Sequence, residues 1–418
     1  MYSSSYSLQR VLAQDGVCLR LRLLKDKYTL YFVDNQLPTH GLALDRQRNF
    51  EPQEFNGWVS LSATGMGLIL LALTCREVNC MITKFDARRR IKLALETGLQ
   101  LKNDHGILPH FVTADTLSPV SSDQAATIDC SWFMAGGLAA AYYLEDDRLI
   151  ALAEELYDRV DWRYWSTKRM SSDAVMLVHG ADPAGTWLPG KWDRLNGETA
   201  FMYLMAIGAR DGKFIPPVSW QKLPTAPGAV EGLTFASADL GLFVANYSST
   251  LVDFGRVQSL GQPNLGLEAV KAAEANYRVC RRISANFSTY RQFWGLSAGD
   301  VPGTNGDEYH AVAPGHEVDG TAFITATFGS IEHVPDLVLR NLKATENGGE
   351  PRLWEGKYGF SNVNLDRNWV SRDIVGIDVG IAGMAIANAL HNGLVREIWH
   401  KVPAMRRALS RLELEALR

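Results

Sequence analysis

The chain has 418 residues, 46% of them apolar and 21% charged, which is enough apolar material for a substantial core and the charge content of a globular protein. Its 42 lysines and arginines are outnumbered by 46 acidic residues, and the net charge of −4 leaves no basic field for a nucleic acid. Five cysteines (Cys18, Cys75, Cys80, Cys130, Cys280) form an odd set without a Cys-x-x-Cys pair, which argues against a disulfide framework and a structural zinc site.

Along the chain, the first ten residues lack a basic stretch followed by an apolar one, so no signal peptide is expected. The default compartment is the cytoplasm, or the periplasm or exterior if the sequence is a trimmed form. Val17-Cys-Leu-Arg-Leu-Arg-Leu alternates for a few residues, as a short strand or as a helix continuing from Leu8. The longest apolar run, 67–73, is too short to cross a bilayer. Residues 86–102 carry apolar positions three and four apart and predict an amphipathic helix. Residues 130–143 are small and apolar all round, as in a helix buried on every side, and an amphipathic acidic helix over 148–160 follows at once. Further helices are expected over 198–207, 267–282, 379–388 and 402–417. A buried helix followed by an amphipathic one is the rhythm of two concentric layers. No linker divides the chain, so residues 1–25 read as an N-terminal extension and 26–418 as one all-α domain.

A colinear series of motifs carries more information. Asp319-Gly-Thr-Ala-Phe-Ile-Thr-Ala-Thr-Phe-Gly-Ser-Ile331 is followed by Trp354-Glu-Gly-Lys-Tyr-Gly-Phe360 and Gly376-Ile-Asp-Val-Gly380. Ahead of them stand Gly41-Leu-Ala-Leu-Asp-Arg46, Ser60-Leu-Ser-Ala-Thr-Gly-Met-Gly-Leu68, Ala126-Thr-Ile-Asp-Cys130, Glu198 with Tyr203-Leu-Met-Ala-Ile-Gly208, and Trp294-Gly-Leu-Ser-Ala-Gly-Asp300. Together they resemble the bacterial glucoamylase-like family, endo-β-1,2-glucanase type, over nearly the whole chain. The resemblance implies an (α/α)6 toroid, six helix pairs closed in a ring; periodicity alone gives only a large helical protein. This chain departs from the family where an acid is usual, with neutral Asn362 and Asn388, and places His391 where the family has an arginine.

Hydrolysis of a glycosidic bond needs one carboxylic acid to protonate the leaving oxygen and a carboxylate to activate water or attack the sugar. Glu198 opens an apolar helix after a polar loop and is the candidate general acid; otherwise it is a helix-start glutamate favoured by the macrodipole. Asp300 is the first candidate base, with Asp129 and Asp319 behind it. Each of those two also reads as a capping residue ahead of an apolar helix. Asp123, in a Ser/Pro loop, reads as a turn residue. Asp378, flanked by Ile377 and Val379, is a buried structural acid or the floor of a site. Trp294, Trp192, Tyr247 and Tyr309 are candidate sugar-contacting aromatics, and His110 a hydrogen-bonding partner for a hydroxyl or a core histidine. His316-Glu317 lacks the second histidine of a metal motif, so neither metal nor cofactor is expected.

The expected function is an inverting glycoside hydrolase on a β-glucan, with β-1,2-glucan first, an oligo- or polysaccharide as substrate, neither nucleic acid nor membrane as partner, and the oligomeric state open. A transglycosylase or exo-acting enzyme of the same fold is the alternative within catalysis. A glycan-binding protein that has lost its chemistry is the alternative outside it.

Overall fold

A computed structural model describes residues 2–52, 57–101, 105–120, 125–168, 174–255, 257, 262–304, 306–347 and 350–414. Asp123 lies outside these residues. The first half contains helices α1 (Tyr2–Leu12), α2 (Val17–Asn35), α3 (Leu61–Thr74), α4 (Lys84–Gln100), α5 (Thr127–Leu144), α6 (Asp147–Asp158), α7 (Ala200–Gly208) and the single turn α8 (Val218–Gln221). The second contains α9 (Leu242–Leu251), α10 (Leu265–Arg282), the turn α11 (Thr289–Gln292), α12 (Ile324–Phe328), α13 (Pro335–Glu346), the turn α14 (Arg352–Glu355), α15 (Gly376–Leu390), α16 (Leu394–Lys401) and α17 (Pro403–Arg411). The protein is thus predominantly helical, with short antiparallel strands between helices, in pairs and in one three-stranded sheet among the described residues.

Two kinds of helix alternate. Helices α3 and α7 are buried along their whole length, and α5, α9, α12 and α15 nearly so, as their continuous apolar composition requires. By contrast α4, α6, α10 and α13 bury one stripe and expose charge on the other. The buried helices touch in sequence: α3 on α5, α5 on α7, α7 on α9, α9 on α12, α12 on α15, and α15 on α3. Around them α2 lies on α15 and α3, α6 on α5, α17 on α7 and α10 on α9.

The contact between α3 and α5 is backbone to backbone. A methyl group at Gly65 would stand 2.1 Å from the carbonyl oxygen of Trp132, and one at Gly136 would stand 1.9 Å from that of Gly65. Only glycine at both positions permits this approach.

Segments leading into the buried helices are stitched together at one end. The amide of Leu61, at the start of α3, donates to the His110 carbonyl (3.4 Å), and that of Gly376, at the start of α15, to the Asp45 carbonyl (2.7 Å). The amide of Leu242, at the start of α9, donates to the Leu296 carbonyl (3.1 Å). Strands Arg46–Arg48 and Asp373–Val375 pair here, as do Trp58–Ser60 with Phe111–Thr113 and Ala298–Pro302 with Asp307–Ala311. The amide of Ala126, ahead of α5, donates to the Leu108 carbonyl (2.9 Å) and that of Asp45 to the Trp58 carbonyl (2.9 Å), so the residues preceding α3, α5 and α15 share one end of the molecule.

Of the two readings of the stretch at Val17 the helix is the one observed, as α2, which begins anew after α1 ends at Leu12. Its buried members Val17, Leu21, Leu24 and Tyr28 recur at helical spacing, while Leu19 and Leu23 face solvent. Helix α2 also runs through residue 25, and Leu21 and Leu24 sit in the main core together with residues from the rest of the chain. The helix expected over 402–417 is α17, which starts with Pro403 at its first position and ends at Arg411. No helix among the described residues is long and apolar enough to cross a membrane. All five cysteines are free.

Candidate active site

Glu198 stands two residues ahead of α7, at the end of a loop folded around Asn196. The Asn196 Oδ1 accepts from the backbone amides of Glu198 and Thr199 (3.1 Å each) and from the Thr199 hydroxyl (3.1 Å). Its Nδ2 donates to Asp239 (3.2 Å). The Glu198 carboxyl lies deep in the protein yet stays partly open to solvent, and no side chain among the described residues hydrogen-bonds it. Burial pushes its pKa up to about 7, with the negative charges of Asp129 and Asp239 adding to the effect. A helix N-terminus favours an anion, but here burial and like charge dominate.

A second carboxyl of this kind belongs to Asp378, in the first turn of α15. It too is deep, partly open, and without a hydrogen-bond partner among the described residues. Burial raises its pKa to about 8, helped by Asp300 and Asp45 and opposed by Arg46.

Arg46 organises the acids beside Asp378. Its Nη1 lies 3.0 Å from Asp300 Oδ1 and 3.9 Å from Asp373 Oδ2, and its Nε lies 3.3 Å from Asp45 Oδ2. Asp300 is only 3% exposed, receives a hydrogen bond from the Ser371 hydroxyl (3.3 Å), and has its pKa raised by burial despite the arginine. The ring of Tyr309, directly opposite Asp300 in the hairpin, lies 6.0 Å from the Arg46 guanidinium carbon and is 49% exposed. Burial raises its hydroxyl pKa, with Asp378 the first of the charges acting on it.

On the other flank, Asp129 sits in the first turn of α5. It does not cap that helix, whose N-cap is Ala126. Its carboxylate instead accepts from the Ser62 hydroxyl at the start of α3 and faces His110 Nε2 at 3.4 Å. Tyr247 of α9 lies between the two flanks. Burial holds its hydroxyl pKa well above the ordinary value, and Asp378, Tyr309, Glu198 and Asp129 all act on it in the same direction. Trp192 is half-buried nearby, its Nε1 donating to the Thr127 hydroxyl at the start of α5 (2.9 Å) and its ring 4.2 Å from that of His179.

Two candidates lie elsewhere. Trp294 is 1% exposed, donates through Nε1 to the Leu337 carbonyl (3.0 Å) and meets Tyr277 edge-on, so its ring is core and offers no face to a sugar. Asp319 turns back on its own chain, accepting from the Thr321 amide and hydroxyl (2.9 Å each), and so fixes the turn before α12. The two neutral replacements are also structural. Asn362 donates to the Asp300 carbonyl (3.0 Å), positioning the strand that carries Asp300. Asn388, ten residues beyond Asp378 and so about 15 Å further along α15, donates to the Thr250 carbonyl and accepts from the Val395 amide.

The sequence reading passed over Arg46, Asp45 and Asp373. Arg46 and Asp45 were visible as the Asp-Arg of the Gly41–Arg46 motif, but an Asp-Arg pair gives no sign of bridging to Asp300, 254 residues away.

Fold and site describe a helical protein whose carboxyl-lined end is flanked by aromatic rings. Residues 190–403, just over half of the chain, match the glycoamylase family, described as "Putative glucoamylase", and the chain belongs to it. It is 22% identical over 434 residues to a protein of Parabacteroides distasonis named exo beta-1,2-glucooligosaccharide sophorohydrolase (non-reducing end). That alignment takes in 94% of this chain but 57% of the relative, so the chain spans little more than half the relative's length. Among solved structures, a putative glucoamylase from Bacteroides fragilis superposes with a TM-score of 0.82 at 20% identity, covering 95% of this chain and 97% of that one. The Chitinophaga pinensis endo-beta-1,2-glucanase, in complex with sophorotriose and glucose, superposes with a TM-score of 0.82 at 18% identity, covering 95% and 98%.

Proposed function

We propose that this protein is a glycoside hydrolase acting on a β-glucan, with β-1,2-glucan as the first substrate, and that its helices form a single (α/α)6 catalytic domain. The toroid reading is supported by the contact order of the six buried helices, which returns from α15 to α3. The substrate class is supported by the names of the Parabacteroides distasonis and Chitinophaga pinensis relatives.

One observation carries the chemistry. Glu198 and Asp378, at the starts of α7 and α15, are two carboxyls whose pKa values burial raises into the neutral range, which lack side-chain partners among the described residues, and which both act on Tyr247. A pKa near the working pH is what general acid and base catalysis requires. Glu198 is the acid: its proton passes to the glycosidic oxygen as the bond from that oxygen to the anomeric carbon breaks. Asp378, ionised, is the base. It takes the proton of the attacking water, directly or through a substrate hydroxyl, and the water oxygen becomes the new anomeric hydroxyl with inverted configuration. Proton exchange with solvent then resets both groups.

Asp300, the first candidate base from sequence, is assigned a different part. Buried, ion-paired to Arg46 and bonded by Ser371, it has little free surface for water; its charge instead raises the basicity of Asp378. Asp129, held by Ser62 and His110, raises Glu198 in the same way. Tyr309 and Trp192 supply partly exposed aromatic faces for the sugar rings.

The Glu198→Gln variant tests this reading. It keeps the shape and loses the proton, so turnover is expected to fall by about three orders of magnitude while oligosaccharide affinity, measured calorimetrically, stays within about threefold. Equal turnover in variant and wild type would overturn the assignment.

A further inference from the structure

Strand Trp58–Ser60, which leads into α3, pairs with Phe111–Thr113 so that Val59 and Val112 face the core. On its other face the strand leaves Trp58 50% exposed, which is unusual for the largest side chain in a segment otherwise given to the core. Trp58 has company there. Its ring centre lies 5.8 Å from that of Phe111 with the planes 38° apart, and Phe111 stacks on His110 at 3.7 Å. His110 in turn faces Asp129, the residue whose charge acts on Glu198. The carbonyl of Trp58 also accepts from the amide of Asp45 (2.9 Å), the neighbour of Arg46. A continuous aromatic shelf therefore runs from solvent to the Asp129 flank of the acid cluster.

We propose that Trp58 and Phe111 form an accessory sugar-binding subsite, which takes the C–H face of a pyranose ring at least one unit removed from the bond that is broken. The inference rests on the hydrolase reading above. Its chemistry is specific: a pyranose has one apolar face and a polar rim, and an indole beside a phenyl ring covers the first without demanding hydrogen bonds from the second. The backbone of Trp58 is fixed by the Phe111–Thr113 ladder and by Asp45, so the shelf is in place before a ligand arrives and binding it orders little. An occupied shelf gives the enzyme a longer footprint than the acid pair alone and favours longer chains.

The test uses linear β-1,2-glucan oligosaccharides of graded length, on wild type, Trp58→Ala and Trp58→Phe. Turnover is measured for each length, and calorimetric affinity for the same lengths in the Glu198→Gln background. The ratio of kcat/KM for long substrates to that for the shortest one cleaved is expected to fall about tenfold in Trp58→Ala, an effect of about 1.4 kcal/mol. Trp58→Phe, which keeps a ring, is expected to recover most of it, and the affinities should follow the same pattern. A loss equal at every length, or no loss, would overturn the subsite while leaving the hydrolase reading intact. Failure of any of these oligosaccharides to bind the Glu198→Gln protein would overturn the β-1,2-glucan reading and the subsite with it.

Discussion

Arg46 and Asp300 meet at 3.0 Å across 254 residues of sequence, and the pair joins the strand ahead of α3 to the hairpin ahead of α12. The ionic contact is at once a structural tie and an electrostatic setting for Asp378, because the charge of Asp300 is the first of those that raise it. Asp300→Asn should therefore have two effects. Stability should fall by about 2–3 kcal/mol, less than the usual cost of about 3–5 kcal/mol for breaking a buried pair, since Arg46 is partly open and keeps Asp45 and Asp373. The alkaline limb of the pH–rate profile should also move to lower pH. Denaturant melts read the first and kcat/KM against pH the second.

The wild-type profile of kcat/KM should be a narrow bell with apparent pKa values of about 7 and 8. In the proposed mechanism the productive form has Glu198 protonated and Asp378 ionised. Because the base has the higher value, the acid limb follows the titration of Glu198 and the alkaline limb that of Asp378. The two values belong to the pair as a whole. A plateau extending from pH 5 to pH 9 would contradict these roles.

Asp239 sets the other limb. It receives Asn196, which holds the amides of Glu198 and Thr199, and its charge acts on Glu198 directly. Asp239→Asn should move the acid limb to lower pH with little change in KM. A purely structural residue would lower kcat without moving the limb.

The same carboxyls weaken the fold at high pH. Both have native pKa values above their unfolded ones, so the native state binds more protons than the unfolded state once pH exceeds about 4. Stability is therefore full below the unfolded values and is lost as pH rises through the native values of about 7 and 8. Glu198→Gln and Asp378→Asn should each be more stable than wild type at pH 8.5, by about 2 kcal/mol, with the difference vanishing near pH 4. Thermal melts at the two pH values decide it.

Packing offers a sharper test of the frame. Gly65→Ala forces a methyl group to within 2.1 Å of the Trp132 carbonyl oxygen, in a contact made by backbone on both sides. Because no flexible side chain can yield there, destabilisation of about 3 kcal/mol or more is expected from denaturant melts.

The helical character of the chain, and most of its helices, were legible from three- and four-residue spacing, because a buried face imposes that period wherever it occurs. The stretch from Val17 stayed open between strand and helix because arginines at alternate positions imitate a strand; the helical recurrence of Val17, Leu21, Leu24 and Tyr28 emerges only over twelve residues. The place of Glu198 ahead of an apolar helix was legible, but its burial among like charges was not. Asp378 was legible as an improbable acid among apolar neighbours, though its openness was not. Trp294 shows the converse limit. A tryptophan in a glycine-bordered motif reads as a ligand platform, and only its contacts with Leu337, Asn341 and Tyr277 place it in the core. Arg46 shows what sequence withholds, since the partner that gives it meaning lies on another loop.

The most direct test of the central claim is to incubate the purified protein with linear β-1,2-glucan and follow products by chromatography and the new anomeric proton by NMR. The account predicts shorter oligosaccharides whose reducing ends appear first as the α-anomer, and loss of both signals in Glu198→Gln. Products appearing first as the β-anomer, or an intact glucan after prolonged incubation with a correctly folded protein, would contradict it.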